Sequence, residues 1–259
     1  MSRKLDLRAL AGCVLETDAD FDEVYILGGL VSNGSLNANL VDIKGSVKIR
    51  GSLWANRLMI MGGINIGEDV ITEMDIDIKG GVEVGGKIQA RNIEAFGGLH
   101  AKEGIEASNM VVKGGVKCNN KIHVEGLIDI AGGLEAQGEI LAAEISAIGG
   151  LAAEGRVKVV GPINVRGKVE VEGDIECDEF IFLISGPSFI NGKLQANRIK
   201  IELDEHAKME SFMRVEEIVS PNKIEIDYVI AERVVCPKMK AGENTRISEP
   251  IEKDYDPDY

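Results

Sequence analysis

Apolar positions in this chain come in short alternating pairs. Between Gly45 and Met61 they are Val47 and Ile49, then Leu53 and Ala55, then Leu58 and Ile60, with polar or small residues between. The same slots are filled by Val82/Val84, Ile88/Ala90 and Ile93/Ala95 in one later stretch, and by Leu134/Ala136, Ile140/Ala142 and Ile145/Ala147 in another. Alternation of period two marks strands with one buried face. The i, i+3, i+4, i+7 stripe of a helical solenoid is missing, and glycine at this density would cost helices nearly 1 kcal/mol per residue.

The pattern repeats. The glycine preceding the first pair recurs at 28, 45, 62, 80, 97, 114, 132, 149 and 167, in steps of 17 or 18 residues. Three strands and three corners in that length describe one rung of a single-stranded, three-sided parallel β-helix, each strand pairing with its equivalent one period later. The prediction is all-β, about ten rungs, roughly 45 to 50 Å at the usual strand spacing. Each large aliphatic in the core contributes about 1.5–3 kcal/mol when fully buried. The boundaries read as an N-terminal segment (1–23), a regular β-helix (24–201), degenerate terminal rungs or a cap (202–236) and a disordered acidic tail (237–259), where the repeat stops among prolines and charges.

Composition narrows the function. With 29 basic against 43 acidic residues the net charge is −14, which repels phosphate backbones, so nucleic acid is not an expected partner. No apolar run reaches the length of a membrane span. Leu10-Ala11-Gly12-Cys13 imitates a lipoprotein acylation site, but Asp6 and Arg8 interrupt the apolar stretch a signal peptide needs. Membrane association through Leu5 to Leu15 stays open, and the chain is read as cytoplasmic. Cys13, Cys118, Cys177 and Cys236 have neither metal nor redox spacing, and read as small apolar residues in a reducing compartment.

Signs of catalysis are weak. His100 and His123 fall on different sides of the predicted triangle, and with His206 they are the chain's only histidines, too few for a convergent metal site. Gly81 to Ile88 imitates a phosphate-binding loop, yet Ile88 stands where Ser or Thr must hold magnesium, and strands flank it. Only three threonines occur, which removes a flat ice-binding ladder. We therefore expect no enzyme, cofactor or metal. Trp54 and Ile71 occupy equivalent outward slots on adjacent rungs, with Met59 and Met61 beyond the next corner, and form a candidate contact patch.

A β-helix exposes sheet edges at its ends, which must be capped or joined. Phe180, Phe182, Phe189 and Phe212 are candidates for an end cap or polymer junction, and non-closing contacts between ends build filaments. Runs such as Gly45 to Ala55 and Gly192 to Ile201, with the unit Gly-x-apolar-x-Ala-x-x-apolar-x-apolar, resemble the bactofilins, polymer-forming cytoskeletal proteins, over roughly residues 28–201. That resemblance implies a right-handed β-helix forming nonpolar filaments without nucleotide, with itself as main partner and protein cargo as a second. The alternatives are a β-helical subunit of a larger oxidoreductase, similar to the glycine-repeat domain of glutamate synthase or the related formylmethanofuran dehydrogenase subunit, and a monomeric binding rod with capped ends.

Overall fold

The computed structural model describes residues 4–207 and 210–249, in which every regular element is a strand and no helix occurs. The strands pair in parallel and stack as a β-solenoid of about 14 turns, against the ten expected. The chain divides into two compact units, Met1–Glu125 and Gly126–Tyr259.

In the first unit the predicted triplets become strands. Val47–Ile49 forms one side, and Leu53–Met61 bends at Asn56 to form the other two. Val47 pairs with Leu30 and Ile64, Leu53 with Leu36 and Val70, and Leu58 with Val41 and Ile76. The inward residues of these turns are almost fully buried. The second unit repeats the arrangement: Ile140 pairs with Val157, and Ile145 through Ala153 pair with Ile163 through Val171.

The glycine period has a steric cause. At the first corner the backbone of each turn lies directly on that of the turn before, with φ at 158° for Gly45 and 149° for Gly97. A Cβ on Gly45 would lie 2.0 Å from the carbonyl oxygen of Gly28, and one on Gly97 2.3 Å from that of Gly80. No side chain fits there, and L-residues avoid that φ region.

The other corners are held by side chains that replace missing ladder bonds. Asp18 Oδ1 accepts the Ser35 amide at 2.7 Å, Ser35 Oγ accepts that of Ser52 at 3.1 Å, and Asp69 Oδ1 accepts that of Lys87 at 2.9 Å. At the Asn56 corner the side-chain amides form their own stack: Asn39 donates to Asp22, Asn56 to Asn39 at 3.1 Å, Asn92 to Asp75 at 2.8 Å and Asn109 to Asn92 at 3.2 Å.

Steps of 18 are absorbed at a corner, leaving strand register intact. Ala55 to Leu58 becomes Thr72 to Ile76, and the extra residue puts Met74 on the surface; Ala142 to Ile145 becomes Val159 to Ile163, and Val160 is extruded, 80% exposed. A larger insertion follows Leu203. Ile190 pairs with Val215, 25 residues on, and the chain from 204 to 212 leaves the ladder before Met213–Val219 resumes it.

The ladder runs further than the sequence pattern in both directions. Leu7–Ala9 pairs with Val24–Ile26 and Cys13–Leu15 with Leu30–Ser32, so the segment before residue 24 winds as a turn, and the Leu-Ala-Gly-Cys motif lies within it. Within the expected disordered tail, Met239–Ala241 pairs with Ile224–Ile226 and Arg246–Ile247 with Ile230–Ala231. The part of that tail from 250 onward, like Met209, lies outside the described residues. Polar residues hid these turns, because strand pairing needs only matching backbone, whereas a hydrophobic period shows only where side chains are apolar.

Substituting Gly97 by Ala forces a Cβ into the Gly80 carbonyl, so it should destabilise the first unit by about 1–3 kcal/mol in urea denaturation. Gly81, by contrast, has nothing within 4 Å of the place a Cβ would take, and Gly81→Ala should change stability by less than about 1 kcal/mol.

Candidate functional site

The four phenylalanines do not sit at an end. Phe180 pairs with Ile163 and Ile199, and Phe182 with Val165 and Ile201; both rings are fully buried, 6.2 Å apart between centroids and tilted by 58°. Phe189 lies between Glu170 and Arg214, and Phe212 precedes Met213–Val219 with the Arg214 guanidinium over its ring. Further turns follow all four, because the chain keeps winding to Ile247. The cap or junction expected from these rings is therefore corrected: Phe180 and Phe182 belong to the core of the second unit.

The expected Trp54 patch is broken up by polar neighbours. Trp54 stacks between Asn37 and Ile71, Met59 between Asp42 and Asp77, and Met61 beside Lys79. Trp54 and Met61 are exposed, and Ile71 and Met59 are partly covered.

Reactive groups do not converge. Among the described residues no three His, Cys, Asp or Glu side chains are placed to share a metal ion. His100 Nε2 lies 3.2 Å from Asn119 Oδ1, and His206 is exposed beside Glu205. The phosphate-loop imitation from Gly81 to Ile88 is a normal turn that runs through Val82–Val84 into Lys87–Phe96. The cysteines are free; Cys118, Cys177 and Cys236 are buried, and Cys13 is partly exposed. Burial, followed by the neighbouring Asp178 and Glu176 charges, pushes the Cys177 thiol up to about 12. No helix of the described residues is long and apolar enough to cross a membrane.

The strongest polar cluster anchors the 204–212 insertion. Arg166 donates to both carboxylate oxygens of Asp204, at 2.5 and 3.1 Å, and the Asp204 side chain is only 2% exposed. The His206 amide donates to the same carboxylate at 2.9 Å and Ser185 Oγ at 3.4 Å. Arg166 first, then the His206 amide, hold the Asp204 carboxyl at about 2, below its ordinary 3.8. With donors on every side and no cavity beside it, this pair ties down a loop. Its two members are 38 residues apart, and no local motif marks them.

What remains as a candidate site is the outermost turn of the first unit. Leu7–Ala9 and Cys13–Leu15 pair on one side only, as does the start of Ala19–Leu27. Their inward residues Leu7, Ala9, Cys13, Leu15 and Phe21 are half-exposed, whereas their partners one turn in, Val24, Ile26, Leu30, Ser32 and Ala38, are buried. The apolar interior is open at this end. Charges ring it: Lys4 pairs with Asp20 at 2.7 Å, and Arg8 reaches Asp6 and Glu23, each at 3.6 Å, while lying over the Tyr25 ring. An apolar centre within a polar rim is the anatomy of a protein interface. The sequence signal was available, since Leu7 and Ala9 stand 17 residues before Val24 and Ile26. The last turn of the second unit differs: Met239, Lys240 and Ala241 with Arg246 and Ile247 lay a short, charged turn over buried Ile224, Ile226 and Ala231.

Comparison with protein-family models, curated proteins and solved structures gives no match.

Two measurements test these assignments. A thiol reagent should label Cys13 rapidly in the folded protein and Cys118, Cys177 and Cys236 only on unfolding. Because the Asp204 carboxyl is depressed when folded, its contribution to stability is present above about pH 4 and is lost as pH falls towards 2. Thermal melting from pH 6 to pH 2 should therefore show a steeper acid loss in wild type than in Asp204→Asn.

Proposed function

We propose that this protein is a structural scaffold that assembles end to end through its solenoid termini, as polymer-forming cytoskeletal proteins do, without nucleotide and without catalysis. The observation that supports it is the open N-terminal turn, with its free strand edges and half-exposed Leu7, Leu15 and Phe21 inside a charged ring. An unpaired edge beside open core invites another edge. A second copy of the same end offers the same three-sided outline and the same apolar centre, so the N-terminal contact is isologous. The outermost strands of the second unit, Met239–Ala241 and Arg246–Ile247, also have one free edge each and provide the second junction a polymer needs. The Gly-x-apolar-x-Ala repeat that resembles the bactofilins supports the same reading.

Negative-stain microscopy and sedimentation of the purified protein test it. Wild type should form filaments or concentration-dependent oligomers, and Leu7→Glu/Leu15→Glu, with β-type circular dichroism retained, should lose the N-terminal junction and weaken association at least about tenfold. A wild type that stays monomeric at every concentration, or is recovered only as a stoichiometric subunit of another complex, overturns the reading.

A further inference from the structure

One side of the first unit carries two outward columns whose chemistry alternates from turn to turn. Its strand segments place Asp42 and Lys44 on one turn, Met59 and Met61 on the next, and Asp77 and Lys79 on the third, with Val41, Ile43, Leu58, Ile60, Ile76 and Ile78 buried behind them. The first column thus reads acid, methionine, acid, and the second lysine, methionine, lysine. Among the described residues none of these four charges has an ion-pair partner within 4 Å. The same slots of the second unit look different: Arg166 is tied to Asp204, and Lys200 pairs with Glu202 at 2.9 Å. Charges on this side are neutralised within the chain there and left unsatisfied here.

We propose that this side of the first unit is a lateral self-association surface, on which two copies lie side by side with their stacking directions parallel. The columns are two residues apart, about 6.5–7 Å, and successive turns about 4.8 Å. A twofold axis parallel to the stacking direction and midway between the columns brings the first column of one copy against the second column of the other. Asp42 then faces Lys44 of the second copy, Asp77 faces Lys79, and Met59 faces Met61, each contact made twice. The other face-to-face twofold, along the strands, sets acid against acid and lysine against lysine, so the charges select the parallel arrangement. The methionines suit a contact of this kind, since their flexible thioethers fill irregular gaps. The area is small, on the order of 300 Å² per copy from the strand spacing, against roughly 800 Å² in a standard interface. The contact is therefore weak and salt-sensitive, and gains strength where several copies are already joined. It rests on observations independent of the open N-terminal end.

The test uses the full chain carrying Leu15→Glu, which suppresses end contacts, and Cys13→Ser, which removes the accessible native thiol. An equimolar mixture of the Met59→Cys and Met61→Cys proteins should cross-link with a short bismaleimide about tenfold more than Met59→Cys alone. Without the added cysteines, Asp42→Lys/Asp77→Lys makes both columns basic and Lys44→Asp/Lys79→Asp makes both acidic. Each should lose self-association at least about tenfold in sedimentation equilibrium, and their mixture should recover it as a hetero-pair. Cross-linking of Met59→Cys alone equal to that of the mixture overturns the proposal. So does undiminished self-association of either charge variant, or a mixture that fails to recover it.

Discussion

Backbone laid on backbone, with no room between, governs this protein. At the glycine corner the carbonyl of one turn sits where the next turn's Cβ would be, so the chain can stack at strand spacing only if that position stays bare. Everything else follows from keeping that spacing. Strands pair without slipping, inward aliphatics fall into columns, and each corner repeats the geometry of the one before. Where an extra residue enters, it is pushed outward at a corner, as Val160 and Met74 are, because a shift inside a strand would turn its buried face to water.

The same constraint explains how polar groups are spent. A solenoid corner removes backbone donors from the ladder, and those donors must be satisfied. Asp18, Ser35, Ser52 and Asp69 do this in succession, each accepting an amide from the following turn, and the asparagine stack does the equivalent on another edge. Such side chains look functional in sequence, being polar and regularly placed. Their partners are amides of the same fold, which leaves little polar chemistry for catalysis. The one deeply buried ion pair, Arg166 with Asp204, serves the same end by fastening an insertion that departs from the repeat.

A solenoid satisfies its edges everywhere except at its two ends, so its capacity for interaction concentrates there and on whatever its outward columns display. The two ends are unequal: the first unit leaves its core open within a ring of charges, and the second unit lays a short charged turn over its last buried residues. Open apolar core and free edges demand a partner, and a repeat architecture supplies that partner most simply as another copy of itself.

Period, strand class, inward residues and solenoid architecture were legible in the sequence because they depend on local facts: glycine where no side chain fits, and alternation where one face is buried. Val47, Leu53 and Leu58 announced their roles without any knowledge of neighbouring turns. The extent of the ladder, the place of the phenylalanines and the open end were not legible in this way. Phe180 and Phe182 looked terminal because the apolar pattern fades after them, but polar turns continue the backbone ladder past them, and pairing does not require apolar side chains. Arg166 meets Asp204 only because an insertion folds back onto an earlier turn, a distance in sequence that no periodicity reports. The order of residues thus sufficed for the repeating unit. Where the stack stops, and which side chains are left there without a turn to cover them, was settled in three dimensions, because an end is defined by the absence of a neighbour, and a neighbour is a fact about space.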